Sequence, residues 1–304
     1  MMRDFMGFTK RNILLYFKDV MAILFSLLTS VIVFVLYLLF LKGTFVESLT
    51  STMNGLENIV SSNDIDMFVN GILLSGILGS ALITVPYTCL QTIVKDRESG
   101  VDSDICATPL KRWKIVLSYF ASSAVSAFII TAAILTIGLA SLSLSGDLHM
   151  SAAGILSSYG IVLLGCISST ALFMPVMLMF RNSANSNAFF GILSAAGGFL
   201  IGAYIPLSQF SDSIQSFCNL FPATHITSLI KNELLKGIAE NMDKQIAGLD
   251  NGLFISKLKE AFSFQAKTFG MSFESSGSII YVAAVAVVCI VLMTAVYNKT
   301  YMRK

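Results

Sequence analysis

Residues 67–94 read MFVNGILLSGILGSALITVPYTCLQTIV, without one Asp, Glu, Lys or Arg. A helix of about 20 mostly apolar residues crosses the hydrocarbon layer of a bilayer, so this stretch is long enough to span. Five further windows are equally free of charge: 20–41, 115–146, 148–180, 182–211 and 275–298. Water-soluble folds do not leave six such windows in one chain. Charged residues make up 12% of the whole and hydrophobic ones 55%, where ordinary soluble domains carry about 25% charge. The sequence therefore reads as an all-α, multi-pass membrane protein. Function narrows to transport, signalling or intramembrane chemistry.

The windows predict six transmembrane helices near 21–41, 71–93, 115–140, 152–180, 186–205 and 277–297. Window 20–41 is too long for a cleaved secretory signal and is expected to stay as a span. Orientation follows from the basic residues beside the spans. With the N-terminus in the cytoplasm, thirteen of the twenty lie inside: Arg3, Lys10, Arg11, Lys18, Lys95, Arg97, Lys111, Arg112, Lys114, Arg181, Lys299, Arg303 and Lys304. The first two outside segments hold only Lys42, and the other six basic residues fall in the long segment before the last window. Both termini are placed in the cytoplasm, in a cell-membrane protein. The net charge of +2 and the lack of a basic block give no sign of nucleic acid.

Four regions result: an N-terminal segment 1–19, helices one to five over 20–204 with a cytoplasmic loop at 94–114, an external segment 205–276, and the last helix with its basic tail, 277–304. Wound at 3.6 residues per turn, the N-terminal segment gathers Arg3, Lys10, Arg11 and Lys18 into an arc of roughly 100°. Phe5, Met6, Phe8, Ile13, Tyr16 and Phe17 take most of the rest. This reads as an interfacial amphipathic helix, basic groups toward anionic headgroups and aromatics toward acyl chains. The other reading is a disordered basic tail that only sets topology.

In the external segment, Pro206, Phe221, Pro222 and His225 lie in a stretch too polar to span and broken by proline. It suits a re-entrant hairpin, provided protein buries its broken backbone. Ile226, Ile230, Leu234 and Ile238 then predict an amphipathic helix ending near Gly237. Phe254, Leu258, Phe262 and Phe269 predict another, making 238–272 a small helical external cap.

Catalytic chemistry has little to stand on. The two histidines, His149 and His225, belong to different external loops, and the five cysteines have neither disulfide nor metal spacing; no catalytic residue and no metal site are expected. The apolar windows hold none of the Asp, Glu, Lys or Arg that ion-coupled carriers usually keep inside the bilayer, and the chain has no GxxxxGK[ST] phosphate loop. Uphill transport would draw its free energy from a nucleotide-hydrolysing partner. Small and hydroxyl residues form stripes: Gly76, Ser80, Thr84 and Thr88 with Gln91; Ser26 and Ser30; Ser118, Ser122 and Ser126; Gly198 and Gly202. Such faces serve close helix packing, within or between copies, or line a substrate path.

The loop Lys95-Asp96-Arg97-Glu98-Ser99-Gly100-Val101-Asp102-Ser103-Asp104-Ile105-Cys106-Ala107-Thr108-Pro109-Leu110-Lys111-Arg112-Trp113-Lys114 has an acidic half and a basic half. Asp102 and Asp104 favour a helix start, and Pro109 a stop, so a short helix is expected across the cytoplasmic face. Here the chain resembles the permease subunits of type-2 ABC exporters, whose loop carries a Glu-x-Gly element followed by Thr-Pro-hydrophobic-x-Arg. Glu98-Ser99-Gly100 and Thr108-Pro109-Leu110-Lys111-Arg112 match in order and spacing. The elbow helix, six spans, internal termini and proline-containing hairpin extend the likeness over most of the chain. Ile105-Cys106 replaces the frequent Leu-Leu, and Ser103 and Asp104 make the segment more polar than usual.

The resemblance implies a coupling helix that docks on an ATPase, with Asp96, Arg97, Glu98, Gly100, Asp102, Asp104, Thr108, Pro109 and Arg112 as its residues. It implies two copies of an ABC ATPase subunit as partners, a second permease copy or a paralogue, and surrounding lipid. ATP and Mg would sit on the ATPase, with no cofactor in this chain and no enzymatic activity of its own. The expected cargo is hydrophobic or amphipathic: a drug, antimicrobial peptide, lipid or lipid-linked glycan. The competing reading is a membrane sensor or immunity protein that binds a ligand or peptide through its cap.

Overall fold

A computed structural model describes residues 2–53, 59–147, 149–246, 253–268 and 271–301. It is almost wholly helical. In chain order come α1 (Met2–Lys18), α2 (Val20–Leu36), a π turn (Tyr37–Leu41), α3 (Lys42–Met53), α4 (Ser62–Glu98), α5 (Val101–Ala107), α6 (Arg112–Ser145), α7 (Ala152–Met177), α8 (Ser183–Leu200), α9 (Asp212–Cys218), α10 (Pro222–Ile246), α11 (Phe254–Ala261) and α12 (Ser275–Tyr301). The one sheet among the described residues is an antiparallel hairpin of β1 (Ala266–Thr268) and β2 (Met271–Phe273).

Among the described residues, five helical stretches are long and apolar enough to cross a membrane: Val20–Met53, Ser62–Glu98, Arg112–Ser145, Ala152–Met177 and Ser275–Tyr297. α4 is the axis. Its apolar window is 83% buried, against 22% for the last helix, because α2, α6, α7, α8 and α10 all pack around it. Without water to drive apolar surfaces together, such packing rests on small residues and interhelical hydrogen bonds. The stripe on α4 supplies both. Ser30 and Ser80 hydroxyls meet at 3.1 Å, Thr84 donates to the Ser26 carbonyl at 2.8 Å, and Gly76 lies against Ala203.

Several extents differ from the hydropathy windows. The first span continues through its π turn to Met53, and α4 starts at Ser62 rather than near 71. The polar turn joins α4 because buried Asp64 accepts hydrogen bonds from Asn241 at 3.0 Å and Gln245 at 2.6 Å, both on α10. The fifth window makes only the 18-residue α8. Gly202 turns left-handed (φ +70), the Ala203 N–H folds back to the Gly198 carbonyl at 2.8 Å, and the Tyr204 ring covers Gly198. At both glycines the space a Cβ would take is filled from the turn that ends the helix, by Tyr204 at Gly198 and by Leu207 at Gly202.

The segment 205–276, expected outside, also departs from expectation. α10 runs on to Ile246, so Gly237 sits inside the helix and not at its end. It runs antiparallel to α4, with Thr227 against Gly79 and Leu235 over Gly71. Phe254, Leu258 and Phe262 are buried as a stripe. The expected all-helical cap is broken by the β1–β2 hairpin, and Phe269, like Arg303 and Lys304 of the tail, lies outside the described residues. His225 is not on a loop: from the first turn of α10 its Nε2 meets the Asn219 carbonyl at 2.9 Å and its Nδ1 the Ser278 hydroxyl at 3.1 Å, with Tyr281 stacked on the ring. Pro206 precedes a single 3-10 turn, and Phe221 and Pro222 form the joint between α9 and α10.

Lys231 is a buried charge that hydropathy windows pass over. It points inward from α10, outside the five spans, and donates to the Phe262 carbonyl at 3.1 Å. Burial pushes its amine down from the ordinary 10.5 to about 8. Between those values the unfolded chain holds a proton that the folded one has released, so stability rises with pH across that window. Below pH 8 the full cost, on the order of 3 kcal/mol, is present. Lys231→Met is expected to stabilise the chain at pH 7 by up to that amount and to flatten the rise toward pH 10.5. Chemical denaturation at both pH values checks it; a Met variant less stable at pH 7 contradicts it.

Candidate functional site

The end of the bundle that carries α1 and α5 is held by three consecutive side chains at the end of α4. Asp96 is buried and accepts both guanidinium nitrogens of Arg11 on α1, Nη1 at 2.6 Å and Nη2 at 2.8 Å. The same carboxylate accepts the Tyr119 hydroxyl of α6 at 2.5 Å. Arg97 donates to the Leu178 and Phe180 carbonyls, at 2.5 and 3.0 Å, just past the end of α7. Glu98 accepts the Ser183 N–H at 3.1 Å and the Ser183 hydroxyl, at the start of α8.

The order of charges matters. A helix carries partial negative charge at its C-terminus and partial positive charge at its N-terminus. Arg97 meets the C-terminus of α7 and Glu98 the N-terminus of α8, each the favourable pairing. Asp96-Arg97-Glu98 thus ties the end of α4 to α1, α6, α7 and α8 at once.

This changes the role of α1. Arg3, Lys10 and Lys18 are exposed, as a basic face toward headgroups requires. Arg11 turns inward to Asp96, which pulls its guanidinium further above its ordinary range, chiefly through that hydrogen bond. The aromatic side packs on protein. Phe8 meets Tyr119 edge-on at 5.1 Å, the Thr9 and Ser118 hydroxyls are 2.7 Å apart, and Phe5 is only partly exposed with its carbonyl accepting from Ser118. A helix whose aromatic face finds α6 has no need of acyl chains there.

Beyond Glu98 the chain turns at Gly100, left-handed at φ +80, and enters α5 with Asp102 and Asp104 in its first turn. α5 stops at Ala107: Thr108 is extended (φ −73, ψ 158), the conformation forced on a residue before proline. Asp102 is buried, whereas Asp104, Thr108, Pro109, Arg112 and Trp113 are exposed. The loop therefore divides into an inner part that anchors and an outer part that is open to a partner.

Beside the anchor lies a cavity of about 420 Å³ between α2, α4 and α8, lined among others by Phe25, Thr88, Gln91, Ser186, Asn187 and Phe190. Gln91 donates to the Asn187 side chain at 3.0 Å. The stripe on α4 is split by this geometry: Ser80 and Thr84, with Ser26 and Ser30 of α2, close a packing seam, while Thr88 and Gln91 reach the cavity. Asn187, Phe190 and Ser186 escaped the sequence reading, since nothing in the uncharged start of α8 marks which side faces inward. Among the described residues no three His, Cys, Asp or Glu side chains come together to hold a metal.

The model of a family described as ABC-2 family transporter protein matches residues 48–295. No curated protein matches the chain.

Proposed function

The chain belongs to the ABC-2 family of transporter proteins, a type-2 ABC permease, and from that premise we propose that it forms the membrane path of an ATP-driven exporter. The observation that carries this reading is the anchored loop. Force applied to α5 passes through Asp96, Arg97 and Glu98 into four helices, and α4 delivers it to the wall of the α2–α4–α8 cavity. A ligand gains from such a motion only by binding the two states of the cavity differently. The mixed lining, aromatic rings beside three hydroxyls and two amides, suits a hydrophobic or amphipathic cargo leaving the cytoplasm or inner leaflet.

In this arrangement both termini and α5 face the cytoplasm, two ATPase copies bind ATP and Mg, and a second permease copy or a paralogue completes the path. Ile214 and Phe217 of α9 and Leu220 of the turn after it are exposed, which supports α9 lying in the outer interface as one arm of a re-entrant hairpin.

Partner contact is best probed where the loop is free. Glu98 caps α8, so its reversal disturbs the permease itself. Asp104→Lys and Trp113→Ala change exposed side chains. Aromatic residues at a well-packed interface centre cost at least about 2 kcal/mol when truncated, roughly thirtyfold in affinity. An ATPase subunit should co-purify with the wild type and be lost from both variants while their unfolding temperatures stay unchanged. Co-purification indifferent to both substitutions, or no ATPase in the native assembly, would defeat the reading.

A further inference from the structure

α2 and α6 both pack on α4, and toward the Ser62 end of α4 they leave a groove of about 490 Å³ between them. Its floor is α4 and its walls include Val31 and Phe34 of α2 and Ile134 and Ile137 of α6. Val31, Phe34 and Ile137 are exposed, so the groove opens onto the surface that faces the hydrocarbon. None of its lining residues is charged, and none also lines the α2–α4–α8 cavity.

The groove changes character along its length. Counted at about 1.5 Å per residue from the middle of window 67–94, Ile77 lies roughly 5 Å out, Leu74 roughly 10 Å and Asn70 roughly 16 Å. Counted likewise over window 115–146, Ile134, Ile137 and Ser141 of α6 lie roughly 5, 10 and 16 Å out. Both counts run the same way, since Gly146 after α6 lies against Asn63 of α4. The hydrocarbon core reaches about 15 Å from its middle. The apolar length of the groove thus lies among acyl chains, and Asn70 and Ser141 share the level at which those chains join their esters.

At that level hydrogen-bond donors are in excess. The Tyr37 hydroxyl donates to Asn70 Oδ1 at 3.1 Å, and Asn70 makes no other hydrogen bond among the described residues. Together the hydroxyl and the amide hold three hydrogens, and their mutual bond uses one whichever way the amide faces. Two are left at the edge of the hydrocarbon, where a donor without an acceptor is costly. Asn70 is only partly buried and lines the groove, so an occupant can reach it. Lys42, just past the π turn, and Asp66, one turn before Asn70, pair with each other at 2.8 Å, so neither is left over for a headgroup.

We propose that this groove holds one ester-linked acyl chain of a glycerophospholipid: the chain fills the apolar length over α4, and its ester carbonyl accepts a hydrogen bond from the Asn70–Tyr37 pair. Complementarity along the groove selects this occupant. An acyl ester offers an acceptor and no donor at the end of an apolar chain, the order in which the groove presents apolar wall and then donors. An apolar helix of a second copy would cover Val31 and Ile137 but bring no acceptor, because its carbonyls are spent within the helix. The site does not depend on the exporter reading.

The test places the full chain in nanodiscs of ether-linked phosphatidylcholine. Traces of two phosphatidylcholines are compared, one ester-linked and one ether-linked, each with the same photoactivatable group midway along a chain. Labelled peptides covering 70–78 and 133–146 are quantified against one covering 279–292 of α12, whose exposed Ile280, Val287 and Val291 report the surrounding lipid. For one added hydrogen bond the ester lipid should label the groove peptides about fivefold more than the ether lipid, and both should label α12 equally. Asn70→Leu should bring the groove ratio to about one. Val31→Phe, at an exposed position, narrows the groove without disturbing the core and should lower labelling by the ester lipid severalfold. Equal labelling of the wild-type groove by the two lipids overturns the proposal, as does an ester preference unchanged in Asn70→Leu. Groove labelling no higher than that of α12 also overturns it, and is the result expected if a second copy covers the groove.

Discussion

Asp96→Ala is expected to lower the stability of the folded chain by about 2–4 kcal/mol, below the top of the range for breaking a buried ion pair. Three hydrogen bonds to the carboxylate disappear. The Tyr119 hydroxyl loses this acceptor in a buried place, and Arg11 keeps the Asn12 side-chain oxygen at 2.9 Å and the Phe8 ring at 5.6 Å. The loss stays below the top of the range because the Arg11 side chain is 34% exposed and can recover water. A double-mutant cycle with Arg11→Ala, followed by thermal unfolding in detergent, isolates the pair; a coupling of roughly 1.5–3 kcal/mol is expected for a charge-assisted, two-pronged contact. Coupling near zero would mean that α1 is held by its aromatic contacts instead. If the anchor transmits force as proposed above, Asp96→Asn should also uncouple ATP hydrolysis from cargo movement while the ATPase still co-purifies, because the exposed side chains of α5 are untouched.

Gly237→Ala should cost about 3 kcal/mol or more, the upper part of the overpacking range. A Cβ at that position of α10 would lie 1.9 Å from the His149 carbonyl oxygen and 2.7 Å from its carbon. Those are backbone atoms and cannot swing aside. The link between α6 and α7 is itself constrained: His149 adopts φ +48, and its N–H is held by the Asp147 side chain at 3.0 Å, an Asx turn. The whole link must therefore lift off α10. Gly160→Ala, where nothing lies within 4 Å, is the matched control and should be neutral or slightly stabilising. Unfolding temperatures of the two variants side by side decide the matter; equal values would contradict the close approach.

Much of the architecture was legible because one term dominates it. Five of the six uncharged windows correspond to helical stretches long and apolar enough to cross among the described residues, while the window over 182–211 makes only the shorter α8; the Thr108-Pro109 pair and the acidic first turn announce α5, since both act within a few residues. The anchor was legible only as a list. Asp96, Arg97 and Glu98 were expected to meet an ATPase, and composition cannot tell a charge that faces a partner from one that closes a helix end. Arg11 was assigned to headgroups on helical phase alone, which places a side chain on a face without saying what lies against it. Lys231 was missed for the opposite reason: a lone lysine in a polar segment carries no mark of burial.

From its residues alone this chain is bound to a bilayer and to helices of near-spanning length, because charge is costly in hydrocarbon and the long apolar windows carry none. Which hydroxyls seal a seam and which open onto a cavity was decided only when α2 and α8 settled on α4. The same holds for the three charges at the end of α4. Their neighbours come from α1, α6, α7 and α8, up to 85 residues away along the chain, and electrostatic partners are chosen by distance in space, which no local pattern encodes.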